Sequence, residues 1–208
     1  MFDFKNEFKL AFSENKLAII TSILILISTL ILGYFLEPYL YDFLNPVVEE
    51  LTRNVKSGVI KLTFQSIFLN NIKIVFLMFV LGALFCFSAL ILAFNGFFVG
   101  YFVASVGDLF KTSLLLIPHG IFEFSSCILA CASGFVMFSF ICKFFKNMPH
   151  QKDLDLKSKL TIAFDLSFDK LKQALLLLFI SSILMVIAGF IEVYLTLPIA
   201  EFLLQFFS

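Results

Sequence analysis

Residues 118–142 read PHGIFEFSSCILACASGFVMFSFIC. A histidine and a glutamate, His119 and Glu123, interrupt a run that is otherwise apolar or small. A helix needs ~20 such residues to cross the ~30 Å hydrocarbon core of a bilayer. On a helix, positions four apart lie one above the other on a single face. Ionisable groups at that depth are costly, and they mark a function or a buried polar contact.

The rest of the chain has the same character. Of 208 residues, 61% are hydrophobic and 14% charged, against about 45–50% and 25% in soluble domains. The composition predicts a single all-α, polytopic helical membrane domain over 1–208, its constant partner the lipid bilayer. Fifteen basic and fifteen acidic residues cancel, so no strongly basic face invites nucleic acid. Cys86, Cys127, Cys131 and Cys142 all fall in apolar runs, as soft packing residues do.

Outward from 118–142, apolar runs and breakers predict five spans: 17–36, 74–94, a short one at 96–110, 114–142 and 174–197. Glu37-Pro38 closes the first, and Asn45-Pro46 starts a surface helix within an outer loop, 37–73, that Gly58 ends. Asn70-Asn71 opens the second span. Asn95-Gly96 breaks it from the short third element. Pro118, which suits a first turn, starts the fourth helix proper. Two amphipathic segments flank the spans. Residues 1–16 repeat phenylalanine at Phe4, Phe8 and Phe12, and the 143–173 loop carries Leu156, Leu160, Phe164 and Leu171 on one side. Both read as interfacial helices. No cleavage site follows the first apolar run, so it reads as an anchor rather than a cleaved signal.

Lysines set the expected orientation. Segment 143–172 holds Lys143, Lys146, Lys152, Lys157, Lys159, Lys170 and Lys172, and the N-terminus holds Lys5, Lys9 and Lys16. Positive charge stays inside, which predicts a cytoplasmic N-terminus and an extracytoplasmic C-terminus in the cell membrane. Small residues set the expected packing. Ser126, Ala130 and Gly134 share a face, and Gly96 and Gly100 repeat the spacing, which permits close helix approach in lipid. Packing within the chain is the preferred use of these faces, and homo-oligomerisation the alternative.

The polar residues at membrane depth are His119, Glu123, Glu192 and Asn95. They admit three readings: a structural polar cluster that fixes helix register, a permeation or proton-coupled transport site, or a hydrolytic centre. The last is the weakest. His-x-x-x-Glu offers two metal ligands where a catalytic zinc takes three, and no nucleophile elbow, His-Glu-x-x-His helix or phosphate loop occurs. The expectation is therefore no catalytic residue, no metal and no cofactor.

Three stretches together resemble the stage II sporulation protein M family of integral membrane proteins. They are Asn70-Asn71 with Asn95-Gly96, Pro118-His119-Gly120-Ile121-Phe122-Glu123 with the small-residue helix to Gly134, and Ala188-Gly189-Phe190-Ile191-Glu192 with Thr196 and Pro198. Leu197 stands where the family joins threonine directly to proline. The resemblance implies a non-enzymatic membrane scaffold or anchor that recruits a membrane or cell-surface protein. In endospore formers the founding member partners peptidoglycan-degrading proteins, a role that does not carry over to members outside sporulation. A small transporter or channel built on the His/Glu/Glu site is the second functional expectation.

Overall fold

Gly107 takes a φ of +75°, a backbone conformation that favours glycine. It turns the chain so that Asp108 accepts a hydrogen bond from the Lys111 amide at 3.1 Å. The Lys111 amide and ammonium hold the Asp108 carboxyl below its ordinary range. This cap starts the central helix of the protein. The computed structural model describes residues 4–57, 63–84, 87–150 and 154–207, and among them every regular element is helical. In chain order they are α1 (Phe4–Glu14), α2 (Lys16–Lys56), α3 (Phe64–Gly82), α4 (Phe87–Val106), α5 (Leu109–Lys146), α6 (Leu156–Tyr194) and α7 (Thr196–Phe207). Five of them, α2 to α6, are long and apolar enough to cross a membrane.

Several boundaries differ from the sequence expectation. The first proline pair does not divide the chain: α2 runs unbroken through Pro38 and Pro46. Each proline removes one amide donor, which leaves the carbonyls of Tyr34 and Asp42, four residues earlier, without their helical partners. The region expected as an outer loop is therefore helical as far as Lys56; Gly58 lies outside the described residues.

The second span starts earlier and ends earlier than expected. Thr63 and Ser66 form a reciprocal capping box, a stronger start signal than an asparagine pair. Asn70 and Asn71 consequently lie inside α3. The helix stops at Gly82, so α4 gains a full length of 20 residues, or ~30 Å. Asn95-Gly96 sits in the middle of α4 and is not a break.

Pro118 is likewise interior to α5, whose start is fixed by Asp108. The amphipathic segment and the fifth span fuse into the single helix α6, capped by Asp155 on the Ser158 amide at 3.4 Å. No glycine or proline lies between Leu156 and Ala188 to interrupt it. Leu195 then separates α6 from α7, with Pro198 in the first turn of α7.

Glycine sets the helix spacing. A Cβ on Gly33 would come within 2.0 Å of the Phe97 carbonyl oxygen, and one on Gly100 within 2.0 Å of the Leu30 oxygen. On Gly96 it would lie 3.0 Å from the Leu26 oxygen. Residues 26, 30 and 33 of α2 thus face 96, 100 and 97 of α4, so the two helices run parallel with their backbones in contact. Gly82 and Gly134 do the same for α3 and α5, where a Cβ on Gly82 would lie 2.3 Å from the Gly134 Cα. Gly33 and Gly82 were not singled out in the sequence.

α5 packs against α2, α3, α4, α6 and α7. Its small-residue face is buried within the chain: Ser126, Ala130 and Gly134 are all inaccessible, which favours internal packing over dimerisation through that face. At the α5–α6 contact, Ser126 Oγ donates to the Ser181 carbonyl and Ser181 Oγ to the Ser126 carbonyl, both at 2.7 Å. Cys127 and Cys131 are buried packing residues; Cys86 lies outside the described residues.

The two ends of the bundle differ in charge. α1, the start of α2, the end of α5 and the first half of α6 gather at one end, tied by Lys170–Glu14 at 3.1 Å and Asn147–Ser167 at 3.3 Å. Lysines 5, 9, 16, 143, 146, 157, 159, 170 and 172 belong to these segments. The opposite end holds the α4–α5 turn, the α6–α7 junction and the distal half of α2, with Glu37, Asp42, Glu49, Glu50 and Asp108 beside the basic Arg53, Lys56 and Lys111.

Candidate functional site

His119 and Glu123 share one face of α5, as their spacing requires. α6 runs antiparallel to α5 from the Ser126–Ser181 contact, and this brings the last turn of α6 alongside them. Glu192 occupies that turn. A ring nitrogen of His119 and one carboxylate oxygen each from Glu123 and Glu192 lie within 4.8 Å of one another, and all three side chains are partly buried. The break at Leu195 folds Thr196 back over the group. Its hydroxyl lies 3.2 Å from His119 Nδ1 and donates to the Ile191 carbonyl at 3.1 Å.

Glu123 and Glu192 thus come together, and the group gains a buried threonine from the start of α7. Glu192 also adds a donor atom to the two that His-x-x-x-Glu offers in the sequence. Among the described residues, the ion pairs involve Lys111, Lys170 and Lys172, and none reaches Glu123 or Glu192. Two carboxylates therefore stand side by side with no cationic side chain between them.

The other singled-out residues fall elsewhere. Asn95 reaches α5 one turn beyond Glu123, where its amide donates to Cys127 Sγ at 3.6 Å; it bonds neither carboxylate. Gly120 is buried beside the group, but a Cβ there would meet only the Leu116 and Phe124 side chains at 3.6 Å. Close backbone approach is not what it serves. Pro118 lies in the turn before His119, and Pro198 is exposed in the first turn of α7. An apolar cleft of about 250 Å³ opens at His119, between the end of α4 and the start of α5, lined by Phe102, Val106, Leu115 and Leu116.

A second polar group was not anticipated. Asn15, at the α1–α2 joint, and Gln173, in α6, are both buried. Asn15 Nδ2 donates to Gln173 Oε1 at 2.9 Å, Gln173 Nε2 to Glu14 Oε2 at 2.9 Å, and Lys170 Nζ to both Gln173 Oε1 and Asn15 Oδ1. Asn15 and Gln173 are 158 residues apart, so nothing local in the sequence marks them as partners.

The family model described as stage II sporulation protein M matches residues 19–197. Two uncharacterized proteins of Methanocaldococcus jannaschii are similar. MJ0793 is 38% identical over 150 residues, spanning 70% of this chain and 77% of that protein. MJ0706 is 26% identical over 211 residues, 97% and 91% of the respective chains. No solved structure matches.

Proposed function

This chain belongs to the stage II sporulation protein M family, and from that premise we propose that it is a non-enzymatic multi-pass membrane scaffold that docks a protein partner at the cell membrane. The observation carrying this reading is the distal part of α2. At 41 residues this helix is ~60 Å long, about twice the hydrocarbon core. Gly100 faces Leu30, and α4 ends at Val106, yet α2 runs on to Lys56.

Phe35, Tyr39, Phe43 and Val47 follow at four-residue spacing, 69%, 83%, 84% and 44% exposed. A helical stripe of large apolar side chains offers anchors of the kind that fill grooves on a partner. A photo-reactive side chain at Phe43 in native membranes should give an adduct of one defined mass. That protein should co-purify with the wild-type chain but not with Phe43→Glu. Adducts to lipid or to a second copy alone would sink the reading.

The lysine-rich end is placed in the cytoplasm by the same proposal, because α1 and the first half of α6 gather the lysines that positive-inside insertion retains. The α2 stripe then emerges on the outer side. Reporter fusions at Lys157 and Lys111 should read inside and outside respectively, and an outside reading at Lys157 would overturn this orientation.

A further inference from the structure

We propose that His119, Glu123 and Glu192 bind one divalent first-row transition cation, which staples α5 to the end of α6. This inference stands apart from the scaffold reading, since neither depends on the other. Three donor atoms within 4.8 Å of one another come from two helices. In a tetrahedral site with ligands at ~2.0–2.2 Å, donors sit roughly 3.4 Å apart. Small rotations of the two carboxylates close that gap.

The hydrogen bonding around His119 supports the assignment independently. Thr196 Oγ1 has a single proton, and it is directed to the Ile191 carbonyl. Both contacts are satisfied together only in the tautomer in which Nδ1 carries the ring proton and donates to the Thr196 oxygen. In the neutral imidazole, Nε2 is then a bare lone pair. This is the arrangement in which protein histidines bind metals, the second nitrogen donating to a fixed acceptor.

Charge points the same way. Two carboxylates at membrane depth, with no Lys or Arg paired to them among the described residues, are unfavourable as bare anions. A dication between them makes a neutral unit. One imidazole with two carboxylates is a borderline donor set that suits Zn²⁺ or Mn²⁺ better than a soft cation such as Cu⁺. Three protein ligands leave a fourth position for water or another donor.

The test uses the full-length protein in detergent, purified without a polyhistidine tag and stripped with chelator. Zn²⁺ and Mn²⁺ are titrated separately by calorimetry, with elemental analysis after desalting. One equivalent of at least one of the two metals should bind. Glu123→Gln and Glu192→Gln, which keep side-chain shape, should each weaken binding more than ten-fold while the metal-free protein elutes as wild type does. Thr196→Val removes no ligand but should weaken binding about 10–100-fold, an effect that a purely packing role for the hydroxyl would not produce. Failure of both metals to bind stoichiometrically, or stoichiometric binding that survives both glutamine variants, overturns the site.

Discussion

Gly100→Leu is expected to destabilise the bundle on the order of 3 kcal/mol, the upper part of the range for overpacked interiors. Even the first side-chain carbon would fall 2.0 Å from the Leu30 carbonyl oxygen, a backbone atom that cannot rotate away. α2 and α4 would have to separate and would lose the contact from Leu26 to Tyr34 along with it. Thermal or denaturant unfolding in micelles measures this directly. Gly120→Ala is the matched control. Its new carbon meets only side-chain atoms at 3.6 Å, so the helix keeps its packing and gains about 0.5–1 kcal/mol from the better helix former. Equal loss at both positions would show that glycine is not what sets the α2–α4 spacing.

The same two glycines show what the sequence could and could not reveal. Gly96-x-x-x-Gly100 is recognisable as a packing face, yet Asn95-Gly96 also carries a break signal, because an Asn-Gly pair usually marks a turn. Contact with α2, far away in sequence, decides between the two. Pro38, Pro46 and Pro118 misled in the same manner. Pro38 reads locally as a stop and Pro46 and Pro118 as first-turn starts, but the long apolar helices continue through all three once packing and caps elsewhere fix the ends. The caps at Thr63, Asp108 and Asp155 carried ordinary signatures and mark the true starts.

The polar cluster was legible for a different reason. His119, Glu123 and Glu192 contrast so sharply with their surroundings that hydropathy alone isolates them. The alternating directions of successive spans then place the two acids at one end. The bond from Thr196 to His119 needed the break at Leu195, which nothing local specifies. Ser181, Asn15 and Gln173 look like unremarkable small or polar residues until their partners on another helix are known.

Gln173→Leu is expected to loosen the docking of α1 on α6. α1 has 11 residues, below the ~12–15 at which isolated helices become even marginal in water, so its order depends on what it packs against. Buried Gln173 bonds Asn15, Glu14 and Lys170. A leucine leaves the Asn15 amide without its α6 acceptor and Lys170 with fewer partners, a loss of about 2 kcal/mol for stranded buried polar groups. Faster amide exchange over residues 4–14, with the α5–α6 contact unchanged, is the expected readout. Acid acts on the same joint. Bonds from Gln173, then Lys170, hold the Glu14 carboxyl below its ordinary value of 4.5. A depressed folded-state value means that the stabilisation is complete above 4.5 and fades as pH falls through the lowered value. α1 of the wild type should therefore stay docked down to below pH 4.5. In Gln173→Leu, which lacks the larger cause of the depression, a spin label at Ser13→Cys should gain mobility at a higher pH. Coincident transitions in the two proteins would mean that Glu14 does not hold α1 in place.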